Sequence, residues 1–197
     1  MKNILLSSAI ITTLSLFSVT QGLAQTAFGL TLGQTLPDDA KAASNNGQYR
    51  LTPPKTHSFF PNYTIYYHQD YGICSISAYG KIIEDDKYGT DVKSQYNKIK
   101  NSLIKKYNNN EAFREMDEYE FLKTGALYNE DDEFAVSIEK DDRYHETYWK
   151  LEGGDLEEIQ LRIRSISYQD TYIQLSYYSS FDAECHNSID AADEDSL

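Results

Sequence analysis

Through the last third of the chain, apolar residues return at every second position. Thr147, Trp149 and Leu151 share one phase, as do Ile159, Leu161 and Ile163, and then Ile173, Leu175 and Tyr177. That alternation describes strands with one buried and one wetter face. The polar stretches between them, residues 140–142, 153–155 and 169–170, are turn-like and too short to hold a crossover helix. Successive strands must therefore run antiparallel, as a meander. Phe134, Val136 and Ile138 show the same spacing after the polar stretch 129–132 and are read as another strand. Between Ile163 and Ile166 the phase slips, which predicts a bulge or a strand end.

The N-terminal half mixes periods. Residues 63–68 and 72–83 have strand composition, and Cys74, Ile76, Ala78 and Ile82 fall on one face, with Ser75, Ser77 and Lys81 on the other. Cys74 is thus expected to point inward. Val92, Tyr96, Ile99, Leu103 and Tyr107 recur at three- and four-residue steps, the mark of an amphipathic helix over 90–107. Its lysine-rich last turn suits the negative end of the helix dipole, and three asparagines at 108–110 stop it. Residues 28–33 read as a short strand. Thr35, Pro37, Asp38 and Asp39 suit the start of a short helix ending near 44. The segment 45–61 reads as a long loop pinned to the body by Phe59 and Phe60. The fold class is α+β, an antiparallel sheet of about six or seven strands with one main amphipathic helix packed on one face.

Lys2 and Asn3, an apolar run over 4–19, and small Gly22 and Ala24 before Gln25 describe a cleaved export signal over 1–24. Removing those 24 of 197 residues leaves 173, the size of one domain, expected over 25–186. Residues 187–197 carry acids and almost nothing apolar, so a disordered acidic tail is expected there. The whole chain has a net charge of −13, and loss of Lys2 with the signal makes it −14. Such a field disfavours nucleic acid and anionic membranes and suits a basic protein partner, while also serving solubility. No later segment approaches a membrane span. Localisation is expected to be periplasmic or secreted. Its two cysteines, Cys74 and Cys185, are expected to pair in that oxidising compartment.

The opening Gly29-Leu-Thr-Leu-Gly-Gln-Thr-Leu36, the strand Gly72-Ile-Cys-Ser-Ile-Ser-Ala78, the helix start at Tyr88-Gly89 and the late Tyr172-Ile-Gln-Leu-Ser-Tyr177 resemble small exported bacterial proteins of unassigned function. In size and charge the chain is also similar in type to some periplasmic immunity proteins and hydrolase inhibitors. The resemblance implies no activity and no catalytic residue.

Familiar catalytic patterns are missing. His57, His68, His145 and His186 lack zinc-site spacing, and no Gly-x-Ser-x-Gly is present. Cys185 and His186 with Asp190 would make a nucleophilic set only if Cys185 were free and within reach of its base. Acid clusters at 84–86, 130–133, 141–142 and 155–158 fall at turns without calcium-loop spacing. No cofactor, metal or catalytic residue is therefore assigned. What stands out is seventeen tyrosines, with Tyr172 and Tyr178 out of phase with Ile173 and Leu175 and so on the less apolar sheet face. Tyrosine joins a large apolar area to a hydrogen-bonding tip and is common at interfaces.

The chain therefore reads first as a non-enzymatic exported protein that binds a macromolecular partner, as an inhibitor or immunity protein would. It would do so through an aromatic sheet face and the acidic turns at Asp131, Asp132, Asp141 and Asp142. The alternative is a small-ligand or envelope-glycan binder using Tyr172, Tyr178 and Trp149, which requires a concave pocket. A carboxylate-based hydrolase ranks last, because only spatial separation would define its acid pair.

Overall fold

A computed structural model describes residues 26–194 apart from 45, 110–112 and 131–132, with backbone only from 189 onward. The expected export signal and the residues 195–197 lie outside the described residues. Eight antiparallel strands form one sheet: β3 (Lys41–Ala42), β4 (Gln48–Arg50), β5 (Asn62–His68), β6 (Gly72–Tyr79), β7 (Phe113–Leu122), β8 (Arg143–Leu151), β9 (Leu156–Ser165) and β10 (Thr171–Ser179). A separate hairpin joins β1 (Thr26–Ala27) to β2 (Leu30–Thr31). The spatial order is β3-β4-β5-β6-β10-β9-β8-β7, so two four-stranded meanders meet at the β6–β10 seam.

Helix α1 (Thr90–Tyr107) has to carry the chain from β6 at the seam to β7 at the far edge. Four strand spacings are about 19 Å and an 18-residue helix is about 27 Å long, so the helix spans the second meander with length to spare. Its buried face, Val92, Tyr96, Ile99, Leu103 and Tyr107, matches the periodic residues read from sequence. Asp86 seats its start: the backbone N–H groups of Asp91 and Val92 donate to the two carboxylate oxygens, each at 3.0 Å, and the Thr171 hydroxyl donates at 2.9 Å. Asp86 is therefore a buried cap joining α1 to β10.

The core lies between α1, the β1–β2 hairpin and the inward face of the sheet. Trp149, Ile76, Ile159, Leu161 and Ile173 are fully enclosed there. Each such aliphatic side chain contributes about 1.5–3 kcal/mol relative to exposure. Of the segment 45–61, expected to be one long loop, residues 48–50 instead form β4; in the remainder Phe59 and Phe60 pin the chain as expected, stacking edge to face at 5.1 Å, with Phe60 buried.

Four further local expectations are corrected. Residues 134–138 form a short helix, α2 (Phe134–Glu139), in place of a strand. Phe134, Ala135, Ser137 and Ile138 are all buried there, a helical burial pattern that a period-two reading of Phe134, Val136 and Ile138 also fits by accident. The helix expected from 35 to 44 is replaced by a turn and β3. Lys41 and Ala42 pair with Arg50 and Tyr49 of β4, while the residues just before the segment are tied to β6, with Gly33 N–H donating to Ile73 C=O at 2.8 Å and Ile73 N–H to Gln34 C=O at 2.9 Å.

Cys74 is buried but leaves the Ile76 and Ala78 set, and β6 ends at Tyr79, so Ile82 is 54 % exposed. A register shift at Tyr66/Tyr67, opposite Cys74, moves the thiol out of the main core. It bonds instead to Cys185 of a third helix, α3 (Asp182–Glu194), in the predicted disulfide. Residues 187–194, expected to be disordered, continue that helix. A disulfide fits an oxidising compartment outside the cytoplasm. No helix among the described residues is long and apolar enough to cross a membrane.

Candidate functional site

The sheet face turned away from α1 is polar from one side to the other. Alternation places Thr64 of β5, Ser77 and Tyr79 of β6, Gln174, Ser176 and Tyr178 of β10, Gln160 and Arg162 of β9, and Glu146 and Tyr148 of β8 on that face. Cross-strand hydrogen bonds link them in sequence. Thr64 and Tyr79 hydroxyls lie 3.2 Å apart, and Ser77 and Ser176 hydroxyls 2.8 Å. The Tyr178 hydroxyl donates to Gln160 Oε1 at 3.1 Å. Gln160 Nε2 donates to the Tyr148 oxygen at 2.8 Å and to Glu146 at 3.3 Å, and the Tyr148 hydroxyl donates to Glu146. Arg162 Nε stands 3.5 Å from Glu146, an ion pair without hydrogen-bond alignment.

Such a network fixes the tyrosine, glutamine and serine side chains in place before any ligand arrives, because their polar groups are already bonded to one another. Burial and the bond to Glu146 push the Tyr148 phenol up to about 12. Burial likewise raises Tyr178. These phenols remain neutral donors at any physiological pH.

The face is also concave. A depression of about 780 Å³ is lined by Lys41, Gln48, Arg50, Asn62, Thr64 and Tyr79. Gln48 and Tyr79 also line the next, of about 470 Å³, with Tyr66, Ser77, Gln174 and Tyr178. Tyr178 and Asp182 line this one and a third, of about 380 Å³, which adds Glu157, Glu158, Gln160 and Arg162. The shared residues make one trough running across six strands, from a cationic end at Lys41 and Arg50 to an acidic end at Glu157, Glu158 and Asp182. Burial raises the carboxyls of Glu158 and Asp182 above their usual range.

Helix α3 forms one wall. His186 Nδ1 donates to the Asp182 backbone carbonyl at 2.9 Å and lies 3.4 Å from the Asp182 carboxylate, and the imidazole leans on the Tyr66 ring at 4.5 Å. The chain matches no known protein family, no curated protein and no solved structure.

Of the residues singled out from sequence, Tyr172 and Tyr178 do lie on the polar face, and Tyr172 contacts Tyr79 at 6.4 Å between ring centroids. Trp149 does not join them. It is fully buried on the opposite face, because its strand phase follows Thr147 and Leu151 into the core. Asp141 and Asp142 occupy the turn between α2 and β8, away from the residues that line the trough, and Asp131 and Asp132 lie outside the described residues. Cys185 is committed to the disulfide, which removes the nucleophile from the Cys185–His186 set. Among the described residues no three His, Cys, Asp or Glu side chains gather to hold a metal ion.

Sequence reasoning missed Tyr66, Tyr79, Gln160 and Gln174. The signal was available in β6, where Ser75, Ser77 and Tyr79 alternate against Ile76 and Ala78; what was missing was that β10 would lie beside it.

Proposed function

We propose that this is an exported, non-enzymatic binding protein, periplasmic or secreted, that holds an extended hydroxyl-rich ligand such as an envelope glycan strand in the trough. The observation that carries the reading is the continuity of three depressions over a floor of tyrosine rings, amides and hydroxyls. Tyrosine rings offer a sugar's C–H face an apolar platform, and Gln and Ser side chains match its hydroxyl groups as both donors and acceptors. Preformed cross-strand bonds lower the ordering cost of binding. A long, open trough suits a polymer better than a compact metabolite.

The test is calorimetric titration of the full chain with soluble peptidoglycan glycan fragments and with chitin oligosaccharides. Wild-type protein is expected to bind at micromolar to submillimolar concentration. Tyr79→Ala and Tyr178→Ala are each expected to weaken binding about tenfold, equivalent to about 1.4 kcal/mol. Equal binding by both variants, or none by wild type, would remove the trough as the site.

A second reading has one observation behind it. Glu158 and Asp182 line the same depression, and burial raises both carboxyls, which suits either one to the part of the protonated acid in a glycoside-hydrolysing pair. Shortened saccharides after prolonged incubation, lost with Glu158→Gln, would favour it.

A further inference from the structure

The two edges of the sheet are built differently. At one edge, β3 is two residues long and carries Lys41, the short and charged form in which proteins usually leave an exposed strand. At the other, β7 runs for ten residues and, among the described residues, pairs only with β8 and has no strand beyond it. Its only irregularity is a register shift at Phe113/Glu115. It contains no proline, and Tyr119, Phe121 and Leu122 are exposed.

The chemistry of β7 is polarised. Glu115, Asp117, Glu118 and Glu120 face one basic residue, Arg114, within the strand. Tyr119 and Phe121 stack on the outer face at 5.6 Å, continued by Tyr144 at 6.5 Å. Some of the acids have cationic partners at hand, Glu118 with Lys100 at 3.0 Å and Glu115 with Lys150 at 2.7 Å. Glu120 has, among the described residues, the His145 imidazole 3.5 Å away, whose pKa burial lowers. Lys123 N–H donates to Asp142 C=O at 2.8 Å, so the acidic turn holding Asp141 sits at the end of this strand and extends its field.

A second copy of the chain is a poor occupant. Antiparallel self-pairing centred on the strand sets Glu115 against Glu120 and Asp117 against Glu118, and like charges opposite one another destabilise a ladder.

We propose that β7 is a strand-addition edge for a partner protein, which docks an extended segment bearing alternate basic residues. Backbone groups of the segment continue the sheet past β7, its cations lie over Glu118 and Glu120, and its intervening side chains cover Tyr119 and Phe121. Main-chain bonds supply affinity and the alternating side chains supply selectivity. This surface is separate from the trough and does not depend on how the trough is used.

The probe is a ten-residue peptide of alternating lysine and valine, offered to the full oxidised chain in low salt. Its control is the same peptide with alternate backbone nitrogens methylated, which keeps the charge and removes one edge's donors. Amide hydrogen exchange over Phe113–Leu122 is followed with affinity. Expected results are protection of outward-facing β7 amides, at least tenfold weaker binding of the methylated peptide, and at least tenfold weaker binding by Glu118→Gln/Glu120→Gln. Equal binding of the two peptides, unchanged β7 exchange, no binding, or concentration-dependent protection of β7 without peptide would each overturn the proposal. The last would mark a self-association edge.

Discussion

Two glycines with similar backbone angles show how local space decides what a position tolerates. Gly89, with φ of +71°, begins α1, and a Cβ there would lie 2.1 Å from Phe134 Cδ1. Gly125, with φ of +80°, has nothing within 4 Å. Gly125→Ala should cost only the left-handed backbone penalty, about 1–2 kcal/mol. Gly89→Ala adds displacement of a buried ring and should cost about 3–5 kcal/mol, read by urea unfolding of the two variants side by side. His145 supplies a pH dependence. It packs against Tyr96 and Phe134, with Glu120 of β7 and Lys93 and Lys100 of α1 around it, and burial lowers its pKa from 6.5. The unfolded chain therefore takes up that proton first, and stability is lost as pH falls below about 6.5. The raised carboxyls of Glu158 and Asp182 act in the opposite sense. Between pH 7.5 and 5.5, His145→Gln should thus lose less stability than wild type, measured as the change in unfolding midpoint. At this scale Phe28 was least legible in the sequence. It turns the β1–β2 hairpin at φ of +56°, a conformation residues other than glycine seldom adopt, while its ring rests on Tyr63 at 4.9 Å and Tyr177 at 5.8 Å. No local rule places an aromatic there; only its distant partners do.

The elements that could be read from sequence are those whose burial comes from their own pattern. Helix α1 and strands β8, β9 and β10 each carry an apolar period strong enough to declare both type and face, and the β9 end at Ser165 falls where the phase slips. Where burial is borrowed, the reading failed. Helix α2 is six residues held by others, with Ala135 N–H donating to Lys87 C=O at 2.9 Å and Lys93 lying 3.9 Å over the Phe134 ring. Helix α3 has almost no apolar face and is attached by Cys185, by stacking of Phe181 on Tyr71, and by the His186 contact with Tyr66. A covalent bond does there what a hydrophobic stripe does for α1. Cys74→Ser/Cys185→Ser should lower the unfolding free energy by about 4 kcal/mol. Hydrogen exchange should accelerate first over α3 and leave β8 and β9 protected until global unfolding. Exchange over α3 no faster than over β8 and β9 would mean that α3 opens only with the core. The trough was illegible for a related reason: its residues come from six strands, and sequence alternation assigns faces without saying which strands are neighbours.

At the scale of the molecule, everything turns on the β6–β10 seam. Each meander is made of local hairpins, whereas the seam joins residues such as Ser77 and Ser176, 99 positions apart. The trough lies across that seam, so its floor exists only when both halves are in place. The Cys74–Cys185 bond spans 111 positions and closes nearly the same loop, one residue being on β6 and the other just past β10. Closing a loop of that length is an entropic cost that must be met before long-range pairing repays it, and such pairing is slow. With the bond formed, the chain that has to zip is already a ring, and the search for the seam is largely over before it starts. Oxidised protein should therefore refold from denaturant faster than the double serine variant, with the difference in the refolding limb of stopped-flow traces exceeding that in the unfolding limb. A cysteine pair chosen for compartment would then act as a timer, coupling the assembly of the binding surface to the moment the chain meets an oxidant.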